Sequence, residues 1–105
     1  MVTFLLALAL AAPNPTSIDA PRRAFASCLK TFENNQMKAK IDAAAYGTAV
    51  KDACPAEAQA LSDALIKYDV AMGTKRASAQ SNAQRDLEDY RLTSEERYRD
   101  MASPQ

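Results

Sequence analysis

Histidine and tryptophan are absent from this chain of 105 residues, and glycine occurs only twice. Without histidine the commonest general base and the commonest metal ligand are missing. So little glycine leaves no glycine-rich loop to cradle a phosphate, and no serine-centred elbow or Ser/Lys motif takes its place. Valine and isoleucine are sparse, and no stretch alternates apolar with polar residues over the length of a strand. Excess charge of either sign is lacking too: thirteen basic side chains face thirteen acidic ones. That balance speaks against a nucleic-acid footprint and against an acidic solvating tail. Arg22, Arg23, Lys38 and Lys40 form a modest basic cluster, but no aromatics are interleaved with it. What remains is rich in Ala, Leu, Lys, Glu, Gln and Arg, and it favours an all-α fold of a single domain.

The first twelve residues, Met1 to Ala12, carry an apolar core from Phe4 onward. It is shorter than the roughly 20 apolar residues that span a bilayer. It suits the h-region of a secretory signal, with Ala9-Leu10-Ala11 as the small residues before a cut. Residues 1–11 are therefore expected to be a signal peptide, with Ala12 the first residue of the mature chain. No Lys or Arg precedes the apolar run, and a buried N-terminal helix is the competing reading. Residues 12–20 read as a flexible connector, with Pro, Ser and Thr prominent, ahead of a helical domain over 21–101 and a disordered tail over 102–105. Asn14-Pro15-Thr16 fails as a glycosylation acceptor because proline holds its middle position. The expected address is the periplasm or the exterior, with no membrane attachment once the signal is removed.

Two cysteines, Cys28 and Cys54, organise the first half of the helical domain. Phe25, Cys28, Leu29 and Phe32 recur at three- and four-residue steps and put the first thiol on an apolar helix face. A second helix is expected from an N-cap at Asp42, with Ile41 and Tyr46 placed as a hydrophobic staple. Its stripe of Tyr46, Ala49, Val50, Ala53 and Cys54 sets the second thiol on an apolar face as well. Cys54 lies about 18 Å beyond that cap along an ideal helix. For the thiols to meet in an antiparallel hairpin, the first helix must run about as far past Cys28. The spacing therefore predicts a helix over Pro21–Met37 that passes through Asn34-Asn35, then a short turn. In an oxidising compartment the cysteines should pair; two buried free thiols are the alternative if the chain stays in the cytosol. Closing the loop is worth about 3.5 kcal/mol on the chain-entropy model.

Pro55 either kinks a continuous helix or opens a new one. The next stripe, Leu61, Ala64, Leu65, Tyr68, Ala71 and Met72, ends at Gly73 as a C′ residue. Helix resumes somewhere between Thr74 and Ala83, with Ser78 or Ser81 as candidate starts, and runs to Met101. Glu95–Arg99 and Glu88–Arg91 are spaced for ion pairs along it. Its apolar stripe is thin: Ala83, Leu87, Tyr90, Tyr98 and Met101. The architecture expected is a three-helix arrangement: an antiparallel hairpin stapled by the disulfide, plus a third, charged helix.

Chemistry is harder to find. Glu88-Asp89 and Glu95-Glu96 with Asp100 fit a solvated helix face better than a cation site. The cysteines stand too far apart in sequence for one local metal site and lack C-x-x-C redox spacing. Tyr46 and Tyr68 read as packing residues more readily than as ligand platforms. No catalytic residue, cofactor or metal is expected; the one assigned feature is the Cys28–Cys54 disulfide.

Leu92-Thr93-Ser94-Glu95-Glu96-Arg97 resembles the L-T-x-x-Q motif of periplasmic stress- and metal-sensing helical hairpins, with Glu96 where that motif has glutamine and no second copy. More broadly, the order signal, Cys28-Leu29, Cys54, Tyr68-Asp69-Val70-Ala71, Gly73 and Glu88-Asp89-Tyr90 is similar to small exported helical proteins of Gram-negative bacteria, alphaproteobacteria in particular. That resemblance implies an exported helical protein and no particular activity. A binding or structural role is the leading expectation, with a protein partner or self-association through the last helix. An envelope stress or metal sensor is the alternative, and an enzyme the remaining one.

Intact mass measured with and without reductant should differ by the two hydrogens of one disulfide; an unchanged mass would remove the staple. Cys54→Ser should lower the melting temperature by about 10 °C or more, whereas Glu95→Gln should barely move it.

Overall fold

The computed structural model describes residues 16–103, so the expected signal segment and the first part of the connector lie outside the described residues. Within them the chain is all-α: α1 (Thr16–Lys38), α2 (Ala43–Ala49), a 3-10 turn (Val50–Asp52), α3 (Pro55–Ala71) and α4 (Arg76–Ala102). Three long helices make the frame, and the short α2 with its 3-10 turn sits between the first and second of them.

α1 begins at Thr16, so the last five residues of the expected connector are helical. Asp19 in the first turn complements the helix dipole, and Ile18 packs against the core. That anchorage carries the helix through Pro21. At its other end α1 stops at Lys38, one residue past the expected Met37, although that expectation counted on a helix running unbroken from Asp42 to Cys54. The stop is a Schellman motif: Ile41 N–H bonds the Gln36 carbonyl at 3.1 Å and Lys40 N–H the Met37 carbonyl at 3.0 Å. Lys40 holds the left-handed position, with φ 58°.

Asp42 caps α2 as expected, its Oδ1 accepting the Ala45 N–H at 2.8 Å. Gly47 is buried where α2 meets α4; a Cβ there would come within 2.6 Å of Glu95 Oε1. The helix does not continue to Cys54. It tightens into the 3-10 turn, extends at Ala53, and turns left-handed at Cys54 (φ 55°) before Pro55 opens α3. The steric bar that proline sets against a preceding right-handed helical residue accounts for the break. Cys54 thus sits at a chain corner, not on a helix face.

A second complete Schellman motif ends α3: Thr74 N–H bonds the Asp69 carbonyl at 2.9 Å and Gly73 N–H that of Val70 at 3.1 Å. Gly73, at φ 101°, is the C′ residue. Burial on α3 concentrates near its start, at Ala58 and Leu61, while Ala71 and Met72 at its end are exposed. α4 starts at Arg76, before either serine candidate, with Lys75 at the N-cap and no side-chain cap. It starts early because Ala79 and Ala83 are buried, and packing outweighs the unfavourable dipole of Lys75 and Arg76. It runs unbroken past Thr93 to Ala102.

With 27 residues, α4 is about 40 Å long and packs against every other helix. The tight connection from α3 makes those two antiparallel. Arg22 reaches Asp86 and Tyr90, Phe25 meets Tyr90, and Glu33 meets Ser94 and Arg97. Residue numbers rise together along both helices, so α1 and α4 are parallel. The core they enclose comprises Phe25, Leu29, Tyr46, Val50, Ala53, Ala58, Leu61, Leu87 and Tyr98, with Cys54 at its edge.

Lys40 carries a Cβ where the backbone prefers none. Lys40→Gly should therefore stabilise the fold by about 0.5–1 kcal/mol, read as a higher denaturation midpoint; a fall would show that the Lys40 side chain outweighs its backbone cost.

Candidate functional site

The residues assigned from sequence, Cys28 and Cys54, are joined: the S–S distance is 2.04 Å and the Cα atoms stand 6.1 Å apart. The bridge ties the middle of α1 to the corner ahead of α3. A second restraint holds the same corner. Arg91 donates from Nη2 to the Ala53 carbonyl at 2.9 Å, and its guanidinium lies 5.4 Å from the Phe25 ring centroid. The side chain expected to pair with Glu88 is spent on the backbone instead. Its Nε is buried with no acceptor among the described residues. The Glu95–Arg99 pair forms as expected, at 3.4 Å on the surface.

A more elaborate arrangement lies further along α1 and was not anticipated. Glu33 is 2 % exposed and Ser94 fully buried. The Glu33 carboxylate accepts a bidentate contact from Arg97, with Nε at 2.8 Å from Oε1 and Nη2 on Oε2. Ser94 Oγ donates to Oε2 at 2.7 Å. A hydroxyl has one proton, and a carboxylate only accepts. Tyr46, whose OH lies 2.6 Å from Ser94 Oγ, must therefore be the donor in that bond. The order is Tyr46 to Ser94 to Glu33, with Arg97 closing the far side. Tyr98 stacks on Tyr46, ring centroids 3.9 Å apart, and its OH donates to the Ile41 carbonyl.

The charges follow from these contacts. Burial alone would raise the Glu33 pKa, but hydrogen bonds from Arg97 and Ser94, with the charges of Arg97 and Lys30, bring it below its ordinary value. Burial pushes the Tyr46 phenol up, and the nearby Glu33 charge adds to the effect. Arg97 is held more firmly protonated by its bonds to Glu33. Tyr46, Ser94 and Glu33 are buried and mutually satisfied, and only Arg97 reaches water, so the network holds α1, α2 and α4 in register and offers no nucleophile to solvent. Its residues were legible in principle. Glu33 continues the four-residue step of Phe25 and Leu29, and Ser94 stands four residues before Tyr98 and seven after Leu87. Residue type, read alone, argues for the surface.

Above this network an open cleft of about 580 Å³ runs between α1 and α4. Leu29 and Tyr90 line its apolar part, and Ser27, Lys30, Asn34, Asp86, Asp89, Thr93 and Arg97 are among its polar residues. Arg22 neutralises Asp86, and Arg97 neutralises Glu33. That leaves Asp89 at one end of the cleft and Lys30 towards the other in no ion pair among the described residues. The cleft is polarised along its length. No protein-family model, curated protein or solved structure matches the chain.

A depressed carboxylate pKa contributes stability above the ordinary value of 4.5 and loses it as the pH falls through the folded-state value. Stability should therefore decline on acidification below about pH 4.5, and Glu33→Gln should flatten that limb. The same substitution should cost about 2–3 kcal/mol at neutral pH, near the low end for a broken buried pair because Arg97 keeps access to water. Denaturant unfolding at several pH values measures both effects.

Proposed function

We propose that this is an exported helical domain, periplasmic or secreted, that works by contact with another protein through the cleft between α1 and α4. The polarised cleft carries the reading: an apolar floor, an acid at one end and a base towards the other, neither in an ion pair among the described residues. A complementary segment would set basic residues against Asp89 and acidic ones against Lys30. Two parallel helices with a trough between them suit a third helix lying along it. The formed disulfide supports an oxidising compartment, and no helix among the described residues is long and apolar enough to cross a membrane. Self-association through the last helix has less to offer: of its stripe Ala83, Leu87 and Tyr98 are buried and Tyr90 packs against the core, which leaves Met101 exposed. Catalysis finds little support, because in the one dense cluster of polar side chains among the described residues Tyr46, Ser94 and Glu33 are buried and only the Arg97 guanidinium reaches water.

Peptide display against the folded, oxidised domain tests this. Selected peptides should be amphipathic, with opposite charges at their two ends. Their binding should fall about tenfold or more in the double variant Lys30→Glu, Asp89→Lys and be unchanged in Gln59→Ala on exposed α3 surface. Selection of peptides indifferent to the double variant would reject the cleft as the contact surface.

A further inference from the structure

We propose that, once its disulfide is reduced, this chain holds one thiophilic divalent cation, zinc foremost, between Cys28, Cys54 and Glu57. The two sulfurs and a Glu57 carboxylate oxygen all lie within 4.8 Å of one another. Cys54 is the N-cap of α3 and Glu57 its third helical residue. Glu57 therefore lies within the first turn of α3, close after Cys54. Cys28 enters from the middle of α1, so the three ligands come from two separate elements. Sequence distance hid this grouping.

The dimensions suit a tetrahedral ion. Zinc–sulfur bonds of about 2.3 Å place two thiolates about 3.7 Å apart, with a carboxylate oxygen about 2.0–2.2 Å from the metal. Cys28 and Glu57 are half-buried, so one side of the site faces water, which fills the fourth position. No hydrogen bond or ion pair among the described residues engages the Glu57 carboxylate. Two sulfur donors select zinc over calcium or magnesium.

The chemistry balances with a dithiol as reductant. It passes two electrons and two protons to the Cys28–Cys54 bond, yielding two thiols, and is itself oxidised to a disulfide. The cation then displaces both thiol protons to water and joins the two sulfurs. One cross-link between α1 and the α3 corner replaces another, so the metal restores in the reduced chain the restraint that oxidation otherwise supplies.

The test is a titration of the full chain, reduced and kept free of oxygen, with Co²⁺ and then Zn²⁺ as competitor. One Co²⁺ should bind with a near-ultraviolet thiolate charge-transfer band and the visible bands of tetrahedral cobalt. One equivalent of Zn²⁺ should erase them and raise the melting temperature of the reduced protein. The oxidised chain should show none of this. Glu57→Gln leaves both cysteines in place, and its fold can be checked in the oxidised form. Loss of an outer-shell partner alone costs about 10–100-fold, so loss of a direct ligand should weaken binding at least about tenfold. Absence of the charge-transfer band, equal binding by the oxidised chain, or unchanged affinity in Glu57→Gln would each overturn the site.

Discussion

A carboxylate removed from water needs its counter-charge, and in this protein α4 supplies it. Glu33 is buried on α1, and its partners, Ser94 and Arg97, lie a single helical turn apart on α4. The pair itself adds little net stability, because desolvation offsets most of the attraction. Its effect is on alternatives: shift α4 by one turn, or reverse it, and a buried charge is left uncompensated. Tyr46 extends the same constraint to α2 through Ser94. One acid therefore ties together the placement of three helices whose apolar stripes alone are too thin to specify it.

The disulfide acts on a different part of the molecule. It holds a corner where the backbone leaves the helical path, at Ala53 and a left-handed Cys54. A non-glycine residue in that conformation costs about 1–2 kcal/mol. The Cys28 bridge and the Arg91 bond to the Ala53 carbonyl fasten the two residues concerned. With the corner held, α3 can start against α1 and return antiparallel to α4. The cleft between α1 and α4 is a consequence of both restraints, since the parallel pair is spaced by what α2 and α3 insert around it.

The local punctuation could be read directly. Asp42 as a cap and Gly73 as a terminator follow from short-range rules, whereas the end of α1 near Met37 was reached by counting along a helix to Cys54 that does not form. The break at Cys54 was harder, because Tyr46, Val50 and Ala53 keep a helical rhythm that only Pro55 contradicts. The early starts of α1 and α4 were missed for one shared reason. Ile18, Ala79 and Ala83 gain from packing against distant elements, and on α4 that gain outweighs the missing side-chain cap at Lys75.

By itself the sequence determined that the chain is helical, where two of its turns fall, and that Cys28 and Cys54 are the cysteines available to pair. These depend on neighbours within a few residues or on composition. Only the tertiary structure decided that α1 and α4 run parallel, that Glu33 and Ser94 are interior, that Arg91 serves the backbone at Ala53, and that Glu57 joins the cysteines. Each of those rests on contacts between residues far apart in the chain, and whether a polar group is buried depends on which partner can satisfy it, a choice that exists only once the helices have met.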